Sequence, residues 1–415
     1  MSASFERSRL AQRLRRVVRG DVLFDAASRG RYATDASIYQ IDPIGVVVPR
    51  DEVDVVATLD LAREMRIPVL PRGGGTSQCG QTVGEALVID ASRSLRDVTA
   101  FDAGAMTVEV QPGLVLDHLN AWLKPHGLWF PVDVSTSAQA TLGGMAGNNS
   151  CGSRSIAYGN MVHNVLGIDA VLADGTAQTF GPFGLAADAG TAVLASGRAG
   201  RLVARLFEIA AREQDEIARV WPKVLRRVGG YNLDVFHPQS ERPYTADGSV
   251  NLAHLLVGSE GTLAWFRRLK LQLSRLPAHR MLGVCNFESF HRAMESAQHL
   301  VTLGPTAVEL VDRTMIDLAR RNPMFRPVIE AALVDAQGPT PEAILLVEFS
   351  GDDRGPLSAR LQALDELMAD LGLPGCVVPV SDSAAQKSLW EVRKAGLNIM
   401  MSLKGDGKPV SFIED

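Results

Sequence analysis

The sequence predicts an α+β protein built in two main parts, and three observations carry that prediction. Two glycine-rich stretches, residues 71–81 and 135–160, are separated by strand-like and helix-like runs. A β-α-β pattern leads into the first of them. From Pro277 onward glycines thin out and apolar strand-like runs alternate with helical ones, which reads as a sheet backed by helices.

Residues 1–37 read as a helical segment rich in arginine: Arg7, Arg9, Arg13, Arg15, Arg16 and Arg19. Val17-Val18-Arg19-Gly20 after the twin arginine is no hydrophobic signal region. A solvated amphipathic helix is therefore the expectation, with contact to an anionic membrane surface as the second reading. Residues 44–49 then form a short strand closed by Pro49. Asp51 opens a helix with Val53, Val56, Ala57, Leu61 and Met65 on one face, and residues 67–70 return as a strand. That strand enters Pro71-Arg72-Gly73-Gly74-Gly75-Thr76-Ser77-Gln78-Cys79-Gly80-Gln81. Three consecutive glycines allow positive φ and close approach to a ligand, and the N–H groups of such a turn can converge on an anion. The loop reads as a phosphate cradle. It is not a Walker A loop, because no Lys follows its glycines. Nor is it a Rossmann fingerprint: Gln78 stands where a glycine is needed, and a strand at 86–90 follows instead of a helix.

Next come a strand at 107–110, a Gln111-Pro112-Gly113 turn, and a helix at 114–123 that places Leu116, Leu119 and Leu123 together. Residues 126–131 lead into the second glycine-rich stretch. Small residues there leave room for a ligand, and Ser, Thr and Asn side chains can bond ribityl, ribose or phosphate oxygens. A strand at 165–172 closes on an Asp174-Gly175 hairpin turn. Residues 211–231 read as a helical connection with a basic end at Lys223, Arg226 and Arg227. Gly258-Ser259-Glu260-Gly261 lacks the G-x-S-x-G spacing of a hydrolase elbow; Glu260 either orients the strand that follows or simply belongs to a turn. In the second part, strands are expected at 283–287, 307–312 and 344–349, with a helix at 290–303.

With 415 residues, 46% of them hydrophobic and 21% charged, the chain is long enough for two sizeable cores. A net charge of -5 gives no reason to expect nucleic acid as a partner. Cys79, Cys151, Cys285 and Cys376 are far apart and form no C-x-x-C pair, so they build neither an iron–sulfur nor a zinc site by spacing. A reducing, cytoplasmic setting fits that usage. No apolar run approaches the roughly 18 residues that span a bilayer.

Pro71-Arg72-Gly73-Gly74-Gly75-Thr76-Ser77, Ala140-Thr141-Leu142-Gly143-Gly144 and Gly258-Ser259-Glu260-Gly261-Thr262-Leu263, in that order, resemble the PCMH-type, or vanillyl-alcohol-oxidase type, FAD-binding fold. More closely, the chain from about Ile38 onward resembles the N-terminal portion of the large FAD-linked D-lactate and D-2-hydroxyglutarate dehydrogenases that carry a C-terminal iron–sulfur region. The resemblance implies a two-subdomain FAD-binding domain at 38–276 and an incomplete substrate cap at 277–415. It assigns Arg72, Gly73, Gly74, Gly75, Thr76, Ser77 and Gln81 to the FAD pyrophosphate. Pro131, Ser135, Thr141, Gly143, Gly144, Asn148, Gly152 and Tyr158 would wrap the ribityl chain and isoalloxazine, Ile168 would pass the cofactor, and Glu260 and Gly261 would close the domain. Some relatives attach the flavin through a His at the position of Thr76; threonine has no ring nitrogen, so noncovalent FAD is expected, with Cys79 and Cys151 as rival attachment points.

The same resemblance implies a substrate site. In Leu389-Trp390-Glu391-Val392-Arg393-Lys394, the Arg of a W-x-x-R motif binds the substrate carboxylate, a task suited to a planar bidentate guanidinium. Lys408 is a second anion partner. The implied activity is oxidation of a small D-2-hydroxy acid to the 2-oxo acid, with electrons passed to an iron–sulfur centre, quinone or cytochrome. Relatives carry a G-D-G-N-x-H segment beyond the point matching Asp415, so the base is expected there, and a divalent metal or iron–sulfur cluster only where that part is supplied. His126 and His163 are the first alternatives for the base within the chain. A noncatalytic FAD-binding fragment completed by a partner chain, and another PCMH-type flavoenzyme, are the competing readings; Trp390-x-x-Arg393 argues against the latter.

Overall fold

The computed structural model describes residues 3–183, 197–237, 242–247, 249–335 and 339–401. They form two compact units. Among the described residues, the first comprises those up to 151 and from 159 to 274; the second comprises Gly152–Tyr158 and those from 275 to 401.

Two larger sheets, of four and five strands, make up most of the first unit. In one, β1 (Asp21–Leu23), β2 (Gly45–Val48), β3 (Val69–Arg72) and β4 (Leu87–Asp90) take the order β1-β2-β4-β3, with β1 antiparallel and the rest parallel. Strands β2 and β4 are buried throughout, which is why they read as unbroken apolar runs. The helix Glu52–Met65 links β2 to β3. Asp51 caps it by accepting the N–H groups of Val53 and Asp54, and Arg66, in the left-handed region at φ 55, ends it.

Its buried face is rotated from the expected one. Val55, Leu61 and Ala62 point inward, whereas Val53 and Val56 are exposed. The cause is Asp54, fully buried, whose carboxylate accepts the backbone N–H groups of Arg19, Gly20 and Arg50 at 2.8–2.9 Å. Three such bonds offset the desolvation of the charge and fix which way the helix faces. They also tie down the N-terminal segment. The helix Ala3–Val17 buries Leu10 and Leu14 against Val47, Leu61 and Leu87, and Arg13 holds Glu64 with two hydrogen bonds. Residues 1–37 are thus part of the first unit, and one face of this helix is core instead of solvated.

The second sheet is antiparallel: β5 (Val98–Asp102), β6 (Thr107–Val110), β7 (Val165–Leu172), β8 (Ala177–Phe180) and β9 (Ala264–Gln272), ordered β5-β6-β9-β7-β8. Leu269 of the central β9 lies opposite both Val110 and Ile168. The β7–β8 hairpin turns at Asp174-Gly175 as expected, with Gly175 at φ 87. The helix Leu116–Leu123 packs Leu116, Leu119 and Leu123 into the same core as Leu142, Met145 and Ile168. The expected helical connection over 211–231 stops early. Helices Gly197–Arg212 and Gln214–Val220 end it, since Pro222 cannot continue a helix and Gly229-Gly230 disfavour one.

The second unit is one antiparallel sheet, β11-β12-β10-β13, from β10 (His279–Phe287), β11 (Ala307–Asp312), β12 (Ala343–Gly351) and β13 (Val377–Val380). Residues alternate between its faces. Cys285, Val347 and Phe349 meet Leu357 and Leu364 of the helix Arg354–Asp370, while Val284 and Leu346 join Ile316, Leu389 and Trp390 on the other side. No described helix is long and apolar enough to cross a membrane.

Candidate functional site

The two glycine-rich stretches meet in the first unit and line a cleft of about 330 Å³. Its walls include Arg72, Gly73, Gly74, Gly75, Thr76, Ser77 and Gln81 from the first stretch. Ser135, Thr141, Gly143, Gly144 and Asn148 come from the second, and Glu260 and Gly261 from the closing segment. Pro131 and Ile168 do not line it: both are buried, Ile168 in the core of the antiparallel sheet. Gly152 and Tyr158 belong to the second compact unit.

The first loop is made by tertiary contact. A Cβ on Gly73 would lie 2.0 Å from Oγ1 of Thr141, and one on Gly74 would lie 2.3 Å from the carbonyl oxygen of Gln139. These two glycines let the loops press together; Gly75, at φ 65, supplies the left-handed turn. Arg72 spans the loop from below. Its Nη1 donates to the carbonyls of Thr82 and Tyr32 at 2.9 and 3.3 Å, and its Nη2 donates to that of Thr34 at 2.7 Å. Burial lowers the Arg72 pKa, yet a guanidinium stays charged, so a fixed cation sits at the loop. Gly74, Gly75, Thr76 and Ser77 make no backbone N–H hydrogen bond to another described residue. Successive unpaired donors in a cleft wall, beside a partly buried cation, fit the pyrophosphate of a dinucleotide.

The opposite wall is equally fixed. Thr141 caps the helix Leu142–Asn148 by accepting from the N–H of Gly144, and Asn149 ends it at φ 56. The closing segment docks on that helix: the N–H groups of Gly258 and Glu260 donate to the carbonyls of Ala146 and Gly147, both at 2.9 Å. Gly258, Glu260 and Gly261 all have positive φ, and Asn148 Nδ2 donates to Glu260 Oε1 at 3.2 Å. Glu260 therefore belongs to a docked turn and braces Asn148. Sequence reasoning missed Trp265 and Phe266, which follow that turn in β9 and complete the cleft. Their position directly after Gly261 was the available signal. Of the two loop cysteines, Cys151 lines the cleft and Cys79 does not.

Neither proposed histidine lines the cleft. His126 is exposed and packs on Phe101 and Trp122 at ring distances of 4.8 and 5.4 Å. His163 is an acceptor in a helix cap: its Nδ1 takes the N–H of Asn160 at 3.1 Å. Burial, with Arg242, His254 and Arg227 nearby, pushes its pKa down to about 4. Among the described residues no cluster of three or more His, Cys, Asp or Glu side chains could hold a metal ion.

In the second unit, Trp390 and Arg393 lie on the helix Ser383–Met401. Arg393 Nε donates to Glu309 Oε2 at 2.6 Å. Arg154 donates through Nε and Nη2 to both oxygens of Glu348, at 2.8 and 2.7 Å, and its guanidinium lies 5.0 Å from the Trp390 ring. Lys408 lies outside the described residues.

Residues 43–181 match the FAD binding domain family, and residues 276–415 match the C-terminal domain of FAD linked oxidases. The chain is 33% identical over 406 residues to a D-2-hydroxyglutarate dehydrogenase of Escherichia coli, covering 95% of this chain and 39% of that protein. A second D-2-hydroxyglutarate dehydrogenase, from Pseudomonas putida, is 33% identical over 402 residues, again with 39% of its length covered. A probable mitochondrial D-lactate dehydrogenase of Danio rerio is 28% identical, with 66% covered. This chain therefore spans less than half the length of the two bacterial relatives. A solved alkyldihydroxyacetonephosphate synthase superposes with a TM-score of 0.64 at 16% identity, covering 94% of this chain and 63% of that one, which shows a shared PCMH-type fold. With its glycine-lined cleft in one matched region and its antiparallel sheet in the other, the chain carries an FAD binding domain followed by the C-terminal domain of FAD linked oxidases.

Proposed function

We propose that this chain is the FAD-carrying part of an FAD-dependent D-2-hydroxy-acid dehydrogenase acting on D-2-hydroxyglutarate or D-lactate. The observation that carries the reading is the cleft itself, which is lined by the unpaired N–H groups of Gly74–Ser77 together with the Arg72 cation. The activities named for the relatives above support the substrate class.

Bound FAD supplies the hydride acceptor. The chain's own residues hold and orient. Gly74–Ser77 take the pyrophosphate, Thr76 makes no bond to the flavin, and Asn148, braced by Glu260, bonds a cofactor oxygen. Arg393 binds the substrate carboxylate. The hydroxyl proton passes to a base that is not assigned to any described residue. Electrons leave through an iron–sulfur centre, quinone or cytochrome. Anaerobic mixing of the FAD-loaded protein with each enantiomer of 2-hydroxyglutarate and lactate tests this. Bleaching of the flavin by a D-acid and not by its L-enantiomer is expected; equal bleaching by both enantiomers, or none by either D-acid, overturns it.

A further inference from the structure

We propose that Glu309 is the positioning residue of the carboxylate site, holding the Arg393 guanidinium in the orientation that receives the substrate. The inference rests on the reading of Arg393 given above and assigns a role to an acidic residue that a simple charge argument would place against anion binding.

The geometry is built from the sheet. Ala307 of β11 lies opposite Glu348 of β12, and Glu309 lies opposite Leu346. Glu309 and Glu348 therefore project from the same sheet face as diagonal neighbours, the arrangement whose side chains reach one another's surroundings. Each holds one arginine. Glu348, 1% exposed, takes both donors of one Arg154 edge, and Arg154 stacks on Trp390. Trp390 and Arg393 are three residues apart on one helix, so they share a face. The helix is thus fixed at Trp390 by one Glu–Arg pair, and its Arg393 side chain is fixed by the other.

The contact to Arg393 uses Nε, at 2.6 Å, and a single oxygen of Glu309. A guanidinium has two edges that can grip a carboxylate in parallel bonds, one through Nε and one through the two terminal nitrogens. With Nε occupied, the terminal edge is the one presented. Arg393 is partly exposed, its side chain 37% accessible, whereas the Glu309 side chain is 17% accessible. The less exposed partner is the anchor and the more exposed one is the receiver. Without the anchor, a long Arg side chain must lose its rotamer freedom when the ligand binds, a cost carried in advance by the Glu309 bond.

Two substitutions separate orientation from charge. Glu309→Gln and Glu309→Ala remove the negative charge equally, but only glutamine keeps an oxygen that accepts from Nε. The probe is oxalate, titrated calorimetrically into the FAD-loaded chain. The Gln variant is expected to bind at least as tightly as the unsubstituted chain, and the Ala variant about fivefold more weakly than the Gln variant, the scale of immobilising one flexible side chain. Should Glu309→Ala not fold, Glu309→Leu carries the same expectation. Equal binding by the Gln and the Ala or Leu variants would overturn the proposal, because Glu309 would then act through charge alone. Arg393→Ala distinguishes this failure from that of the underlying reading. Loss of oxalate binding in Arg393→Ala alongside equal Gln and Ala variants sinks only the positioning role; oxalate bound undiminished by Arg393→Ala, or not bound by the unsubstituted chain, sinks the carboxylate site itself.

Discussion

The two candidate anion sites, one in each unit, are built by opposite means. In the first, the candidate phosphate site is backbone: Gly74–Ser77 offer N–H groups, and the side chains around them, Arg72 above all, are spent on holding the loop. In the second, the candidate carboxylate site is side chain: Arg393 and Arg154 are each held by a glutamate from the sheet. A backbone site fixes its donors when the chain folds and tolerates little change in residue size. A side-chain site keeps its fold when a charge is removed but loses its ligand. The units should accordingly fail in different ways.

The largest expected difference is in acid. His163 and His254 both lie in the first unit, and burial pushes each down to about 4 from the ordinary 6.5. The unfolded chain takes up these protons as pH falls through 6.5, while the folded chain does not until about 4. Stability is therefore full above pH 6.5 and lost between 6.5 and 4, by on the order of 3 kcal/mol for each histidine. Urea unfolding followed from pH 7.5 to 4.5 should show that decline together with loss of bound flavin; a flat profile contradicts it.

In the second unit the expected change is in chemistry. Arg393→Ala should lower kcat/KM for the D-2-hydroxy acid by roughly 2–5 kcal/mol of transition-state stabilisation, with flavin content unchanged. Loss of FAD in that variant, or full turnover on both D-lactate and D-2-hydroxyglutarate, would contradict the assignment. A smaller effect, reversed in kind, is expected at Gly74→Ala. The added methyl meets the Gln139 carbonyl, overpacking worth about 1–3 kcal/mol, so both FAD content and thermal stability should fall. Retention of full FAD content would show that the loops do not need to touch.

The least effect is predicted at the cysteines. Cys79→Ala and Cys151→Ala should leave flavin content unchanged, and acid precipitation of the unsubstituted protein should leave the yellow colour in the supernatant. Flavin in the pellet would mean a covalent bond, and its loss in one variant would name the sulfur.

The contrast between the units also explains what could be read in advance. The glycine loops were legible because a backbone site leaves its mark as residue type: only glycine permits the approach of residue 73 to Thr141, and that requirement is written locally even though its partner is 68 positions away. The strands and the Asp174-Gly175 hairpin were legible for the same local reason. Asp54 was not, because a buried carboxylate serving three N–H groups looks in sequence like any acidic first-turn residue, and so the helix Glu52–Met65 was turned the wrong way. Arg72 was assigned to the ligand, and its three carbonyl partners could not be foreseen. Glu309 carried no signal, since its meaning depends on strand register and on a helix 84 residues away.

The central claim is that the first unit holds its cofactor by the pyrophosphate. Fluorescence titration of the flavin-free chain with FAD and with riboflavin tests it most directly, since riboflavin keeps the isoalloxazine and ribityl chain but has no phosphate. FAD should bind at least about 100-fold more tightly, the scale of two or three charge-assisted hydrogen bonds. Riboflavin bound as tightly as FAD would contradict it.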